Sequence, residues 1–404
     1  MATNTSDSLD MLIDRMLKAK IFINRDLLRP DYIPDDLPHR SSQILRLVKI
    51  LAPSLKGSRP SNAFIYGVPG TGKTAVTRYV VNRLKKEGTG KGIPLGMAFV
   101  NCKQDDTSYR VLADLCEQLG ERVPFTGLSS SEVYRRFVKI AEGSNSTLLV
   151  VLDEVDSLVK KSGDEVLYNL TRINDKLKEA RVSIIGITND LKFTEYLDPR
   201  VRSSLGEEEL VFPPYNAVEL EDILTKRSEG AFSKAVLEAD VIKLCAALAA
   251  KEHGDARRAL DLLRVSGELS ERNGDERVTA DHVRSAQKEV ERDRVVEVVK
   301  TMPLHSRLLI LSLYLMEKDR GRGATTGEVY EVYAGLAKRL GMEALTQRRI
   351  SDLINELDML GIANAKVVSK GRYGRTKFVG LSISDRNLRD ALQEDPRLAA
   401  IASK

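Results

Sequence analysis

The chain has 404 residues, 42% of them hydrophobic and 30% charged. That apolar content fills cores for about two or three domains and excludes a wholly disordered chain. No run of about 18 or more apolar residues exists, which excludes a membrane-spanning helix, and the polar stretch Met1 to Asp10 lacks the apolar core of a signal peptide. The three cysteines, Cys102, Cys116 and Cys245, are scattered, and with four histidines they offer neither a disulfide framework nor zinc spacing. A reducing, cytoplasmic setting is expected. The net charge of +5 is uneven: residues 300–404 carry 18 Lys+Arg against 12 Asp+Glu, a net of +6, and the rest nets −1. A basic region confined to one end predicts an anionic partner there, nucleic acid first.

Residues 1–60 read as a charged helix followed by a Pro-rich segment, Arg29-Pro30 to Pro38. Residues 61–213 alternate amphipathic helical stretches with short apolar runs, Ala63–Gly67, Met97–Cys102, Leu148–Asp153 and Val182–Asn189. This predicts an α/β fold, a parallel sheet with helices on both faces. Residues 214–294 read as all helix, and residues 300–404 as short helices followed by a β-rich stretch. The expected domains are 1–213, with its N-terminal extension, then 214–294 and 300–404.

Gly67-Val68-Pro69-Gly70-Thr71-Gly72-Lys73-Thr74 matches G-x-x-x-x-G-K-[ST] without a substitution, between a strand and the helical stretch Ala75–Lys86. Glycines let successive backbone N–H groups turn toward one anion, and the helix start adds its positive dipole end. Val68, Pro69, Gly70, Thr71, Gly72, Lys73, Thr74 and Ala75 are therefore expected to cradle the phosphates of ATP or ADP. Lys73 reaches the β- and γ-phosphates and Thr74 ligates Mg²⁺ on this reading. A later strand, Leu148–Leu152, ends in Asp153 and Glu154. Asp153 is expected to hold the Mg²⁺ shell and Glu154 to orient the attacking water. Asp156 continues this acidic turn, its role open between direct and incidental. Val182–Thr188 is predicted to lie between the two strands just described, with Asn189 either a turn residue or a partner of the γ-phosphate or the water.

With these pieces in order the chain resembles the AAA+ ATPases, and among them the archaeal replication initiators related to the eukaryotic origin-recognition and Cdc6 proteins. The resemblance runs from about Phe22 to Ile383. It is carried by Asp31-Tyr32-Ile33-Pro34 with Leu37-Pro38-His39-Arg40, by Asn101-Cys102-Lys103-Gln104 with Tyr109-Arg110-Val111-Leu112, and by Leu197-Asp198-Pro199-Arg200-Val201. Phe212-Pro213-Pro214-Tyr215 and Gly254-Asp255-Ala256-Arg257-Arg258-Ala259-Leu260 complete it. The resemblance implies that Tyr32, Ile33, His39 and Arg40 lie near the adenine, that Asn189 is the sensor-1 residue, and that Arg257 is the sensor-2 residue of a helical lid. By the same resemblance Tyr215 faces the base or ribose and Arg227 a phosphate. Related ATPases carry an arginine finger in a pattern like Arg-Val-x-Ser-Arg; here Ser204 ends that pattern, leaving Arg200 and Arg202 as candidates for the trans role. A helical insertion, Gln104–Leu128, is a DNA-contact candidate through Tyr109, Arg110, Arg122 and Phe125, or else an extra core helix with a surface loop.

Within the C-terminal region, His305 to Met316 and Thr326 to Leu340 read as helices, and Thr346 precedes a third with Ile350, Leu353, Ile354, Leu357 and Leu360 at helical spacing. Gln347, Arg348 and Arg349 open that third, recognition helix. Ala365–Lys370 and Thr376–Leu381 flank a Gly-rich basic tip, Gly371-Arg372-Tyr373-Gly374-Arg375, which reads as the wing of a winged-helix domain. Lys370, Arg372, Tyr373, Arg375 and Lys377 are its candidate DNA contacts. The expectation is a slow ATP hydrolase used as a switch, with ATP/ADP and Mg²⁺ as cofactors and double-stranded origin DNA as partner. The resemblance adds the replicative MCM helicase and paralogous initiators as partners, in the cytoplasm at the nucleoid. The alternatives are a clamp-loader-like motor and a signalling ATPase whose winged helix contacts protein.

Overall fold

A computed structural model describes residues 20–30, 32–124, 127–205, 207–320, 323–369, 375–383, 388–389, 391–392, 395, 397–398 and 401. The chain divides into two compact units, residues 1–283 and 284–404. In the first, a segment from Lys20 to Arg40 leads into α1 (Ser41–Leu51), β1 (Ala63–Tyr66), α2 (Lys73–Gly90), β2 (Leu95–Asn101), α3 (Ser108–Gln118) and α4 (Ser130–Gly143). Next come β3 (Thr147–Asp153), α5 (Val155–Ser162), α6 (Glu165–Thr171), β4 (Arg181–Thr188), α7 (Pro199–Leu205) and β5 (Glu208–Val211). The strands form one five-stranded parallel sheet in the order β2-β3-β4-β1-β5.

Side-chain alternation explains why the strand sequences read as unbroken apolar runs. Leu148, Val150 and Leu152 of β3 enter the core with Leu115 and Phe137 of α3 and α4. Leu149 and Val151 point the other way, into the core with Leu47 of α1 and Val76 and Val80 of α2. Both faces are covered, so every position of β3 is buried. As expected, β4 lies between β1 and β3. The edge strand β5 had no counterpart among the predicted strands: its sequence, Glu-Glu-Leu-Val, buries only Leu210.

The lid follows: α8 (Ala217–Ala231), started by an Asn216/Glu219 capping box, α9 (Ala239–Lys251) and α10 (Ala256–Asn273), which Asp255 caps. Its core, built on Leu220, Leu224, Cys245 and Leu262, also contains Ile21 and Leu28. The N-terminal segment, expected to extend the sheet domain, thus supplies apolar side chains to the lid. The next helix, α11 (Ala280–Thr301), runs on past residue 294, where the helical region was expected to close.

The second unit holds α12 (Leu304–Arg320), β6 (Ala324–Thr325), α13 (Thr326–Arg339), α14 (Gln347–Met359), β7 (Ala363–Ser369) and β8 (Arg375–Leu381). Thr325 caps α13, in a capping box with Glu328. Thr346 caps α14, and Ile350, Leu353, Ile354 and Leu357 bury its inner stripe. β7 and β8 pair antiparallel from Ala363↔Leu381 to Ser369↔Arg375, and β6 completes the sheet. Three helices and this sheet make a winged helix. No helix among the described residues is long and apolar enough to cross a membrane.

A candidate nucleotide site at the strand ends

The strand order brings the C-terminal ends of three neighbours, β3, β4 and β1, side by side. Asp153, Asn189 and the glycine loop therefore meet where ligands bind on open parallel sheets. The loop leaves β1 and enters α2 through Gly70 (φ 71°) and Gly72 (φ 86°), a left-handed path that suits residues without a Cβ. Lys73 is buried and folds back to donate to the carbonyls of Gly67 (2.7 Å) and Val68 (2.9 Å). Burial pushes its ammonium down to about 8, with Asp153 opposing that shift.

The hydroxyl of Thr74 donates to Asp153 Oδ2 at 2.9 Å, and the N–H of Glu154 donates to Asp153 Oδ1 at 3.1 Å. Burial pushes the Asp153 carboxyl up, and these two donors pull it back. A hydroxyl and one buried carboxylate are the hard oxygen donors Mg²⁺ takes when substrate phosphates and water complete its shell, so the pair fits that ion. Among the described residues no group of three or more His, Cys, Asp or Glu forms a fuller cage. Glu154 caps α5 in a left-handed conformation, φ 53° and ψ 42°. Such strain in a side chain with a Cβ concentrates at functional positions.

A cavity of about 620 Å³ joins these groups. Its floor is Gly70–Ala75 with Asp153, Glu154 and Asn189; Tyr32, Ile33, Pro34 and Leu37 form one wall, and Tyr215, Ile223, Arg227, Arg257 and Leu260 of the lid face them. Apolar walls beside a cationic floor suit a base and its phosphates. Val68, Pro69, His39 and Arg40 do not line it.

Three basic residues expected at the nucleotide, Arg40, His39 and Arg227, also make hydrogen bonds within the protein. Arg40 is only 2% exposed. It donates to the carbonyls of Thr71 (2.9 Å), His39 (3.1 Å) and Pro213 (2.7 Å), and its guanidinium lies 3.7 Å from the centre of the Tyr215 ring. It thereby ties the glycine loop to Pro213 and Tyr215 at the start of the lid. His39 likewise turns to Asp222, 2.8 Å away. Arg227 lines the cavity wall, and its fork donates to the carbonyls of Leu27 (2.9 Å) and Tyr32 (3.1 Å). Each guanidinium satisfies at least one carbonyl far away in the sequence, Pro213 for Arg40 and Leu27 and Tyr32 for Arg227, which no local pattern announces.

Arg257 stands close enough to Lys73 and Asp153 to act on both charges. Arg200 forks Asp198 with two 3.0 Å hydrogen bonds, Arg202 is exposed, and neither lines the cavity. Tyr109 is half-buried, donates to the Pro124 carbonyl and packs its ring on the core; Arg110 faces out, paired with Asp106 at 3.3 Å. Gln347, Arg348 and Arg349 are exposed on the first turn of α14. Lys377 donates to Asn355 of the same helix. Phe125, Lys370, Arg372 and Tyr373 lie outside the described residues, as does the Arg375 side chain.

Three matches to known families cover this architecture: an AAA domain at residues 56–193, the Cdc6 AAA+ ATPase-type lid domain at 221–288, and the CDC6 C-terminal winged helix domain at 297–391. The ORC1-type DNA replication protein 1 of Sulfurisphaera tokodaii is 55% identical over 397 residues, covering 98% of this chain and 99% of that one. The chain belongs to the ORC1-type DNA replication proteins. A second ORC1-type relative, from Pyrococcus abyssi, is 55% identical over 392 residues, covering 96% and 94%. Among solved structures, the Aeropyrum pernix ORC1 protein in complex with DNA superposes with a TM-score of 0.86 at 53% identity, over 95% of this chain and 100% of that one. ATP hydrolysis is implied for this ORC1-type chain by its AAA+ ATPase family.

Sequence reasoning missed Arg78, Phe99 and Asn101, which also line the cavity. Arg78 lies one helical turn after Thr74, on the same face, and its guanidinium stacks 3.7 Å from the centre of the Phe99 ring. It also assigned no role to Asp255. In this ORC1-type lid the Asp255 carboxylate caps α10 and rests against Gly70, while the N–H of Ala256 donates to the Gly70 carbonyl at 3.1 Å. A Cβ at Gly70 would lie 1.6 Å from Asp255 Oδ1. Gly70→Ala should therefore push the lid off the loop and weaken ADP binding by roughly tenfold or more, a clash added to the left-handed strain of about 1–2 kcal/mol. Adding Asp255→Ala should recover part of the loss, and ADP titration of both variants checks it. Wild-type affinity in Gly70→Ala would refute the docking.

Proposed function

We propose that this chain is an ATP-regulated replication initiator that binds origin duplex DNA and helps recruit the replicative helicase. The observation that carries the DNA half is the exposed turn Gln347-Arg348-Arg349 at the start of α14, in a chain whose Aeropyrum pernix relative was solved in complex with DNA. Arginines there can read guanine edges in the major groove while a basic wing holds phosphates. MCM as the helicase and paralogous initiators as companions on DNA rest on the family resemblance.

The nucleotide half rests on the cavity. Bound Mg²⁺ would screen the phosphate charge and stabilise the charge that develops during phosphoryl transfer. Thr74 and Asp153 would hold that ion, and Lys73 swings from the loop carbonyls to the phosphates. Glu154 takes a proton as the water oxygen bonds to the γ-phosphorus and the bond to the β–γ bridging oxygen breaks, leaving ADP and phosphate. Asn189 and Arg257 steady the γ-phosphate from the sheet and from the lid. Arg200 and Arg202 lie outside the cavity, which supports slow turnover by a single copy and a switch that holds its nucleotide.

Binding of the purified protein to intergenic duplexes of its own genome, against random duplex, with ADP and with a non-hydrolysable ATP analogue, tests this reading. Tight binding at one or a few loci is expected, and Arg348→Ala should lose about 1–3 kcal/mol there while sparing random DNA. Equal, weak binding to all duplexes would sink the initiator reading and favour a protein-contacting wing.

A further inference from the structure

A ring of side chains behind the strand ends has no part in the chemistry above. Thr188, the fully buried last residue of β4, donates its hydroxyl to Asp156 Oδ1 at 2.8 Å and accepts the N–H of Asp190 at 3.0 Å. Lys160 closes the ring, donating to Asp190 Oδ2 at 2.9 Å and pairing with Asp156 Oδ2 at 3.5 Å. Asp156 and Lys160 belong to α5, the helix that Glu154 caps. Thr188 and Asp190 are the two neighbours of Asn189 in the chain. The residue on either side of Asn189 is therefore tied to the helix that carries Glu154.

We propose that Asp156, acting through Thr188 and Lys160, is a positioning residue that holds Asn189 in register with Glu154. The inference rests on the roles given above to those two residues. Its physical basis is the two-sided Thr188 hydroxyl, which donates to one segment and accepts from the other. Valine at this position keeps the shape and deletes both bonds, so Asn189 loses its anchor on the Thr188 side, with only the Lys160–Asp190 pair left, while the sheet stays packed. Small displacements of positioning groups cost up to about 10² in rate.

The test compares Thr188→Val with Thr188→Ser, which keeps the hydroxyl, and with Asp156→Ala. In nucleotide-free protein, hydrogen exchange at the Asp190 amide should speed up about tenfold or more in Thr188→Val and stay near wild type in Thr188→Ser. In single-turnover hydrolysis of prebound ATP, Thr188→Val and Asp156→Ala should slow by about tenfold and Thr188→Ser by less than about twofold. ADP affinity should hold within about twofold throughout, which separates positioning from general damage. Glu154→Gln and Asn189→Ala run in parallel. If these slow hydrolysis and Thr188→Val does not, the positioning role alone falls. If none of the variants slows it, the assignment of Glu154 and Asn189 falls first and the proposal with it.

Discussion

Lys73→Ala should weaken Mg-ADP binding by about 2–5 kcal/mol, roughly 30-fold to several thousand-fold, the usual loss when a buried, hydrogen-bonded charge is cut from its partner. The ammonium already sits at the base of the cavity, and its two loop carbonyls, at 2.7 and 2.9 Å, are partners it can exchange for phosphate oxygens. Its titration supplies a second readout. Burial lowers Lys73 to about 8 in the free protein, against about 10.4 in an unfolded chain. Between those values the unfolded chain binds more protons. The cost of burying the cation is therefore fully present below pH 8 and is relieved as pH rises toward 10. Phosphates favour the charged form, so the bound state raises this pKa again. ADP binding above pH 8 should then take up about one proton and weaken with rising pH. Calorimetry in two buffers of different ionisation enthalpy measures that uptake, and its absence at pH 9 would place Lys73 away from the phosphates.

Glu154→Gln should leave ADP affinity within about twofold and slow single-turnover hydrolysis by about 10²–10⁴-fold, the usual contribution of a positioned general base. The amide keeps the size and polarity of the side chain and loses only the ability to take the proton. A companion change separates catalysis from fold maintenance. At φ 53° glycine escapes the Cβ penalty of about 1–2 kcal/mol and gives back about 0.4–1 kcal/mol through the looser unfolded chain. Glu154→Gly should thus melt no lower than wild type while losing hydrolysis to the same extent. Full hydrolysis in either variant would remove Glu154 from the reaction.

How legible the molecule is depends on whether the determinant is local. The glycine loop, the run Leu148–Asp153 and the stripe Ile350–Leu357 each announce themselves, because backbone turning, two-sided burial and helical periodicity are written in adjacent residues. The placement of β4 between β1 and β3 followed from them. β5 escaped because an edge strand keeps polar side chains, here Glu208 and Glu209, toward water. The hydrogen bonds of Arg40 and Arg227 to the carbonyls of Pro213, Leu27 and Tyr32 were not legible, because those partners lie 173 to 200 residues away in the chain. The meeting of Asp255 with Gly70 is of the same kind: two ordinary turn residues whose relation exists only once the lid is in place.

The contribution of Ile21 and Leu28 to the lid core carries a consequence for the order of assembly. The sheet domain is threaded between two parts of a single hydrophobic nucleus, the second about two hundred residues after the first. Closing a flexible loop of that length costs about 5 kcal/mol by the logarithmic law. Pairing of β5 beside β1 removes most of that cost, because it brings the two ends of the threaded domain to one edge of the sheet. Forming the sheet first therefore lowers the cost of consolidating the lid. Until then the emerging chain carries Ile21 and Leu28 exposed, two apolar side chains waiting for a core that the ribosome has yet to deliver.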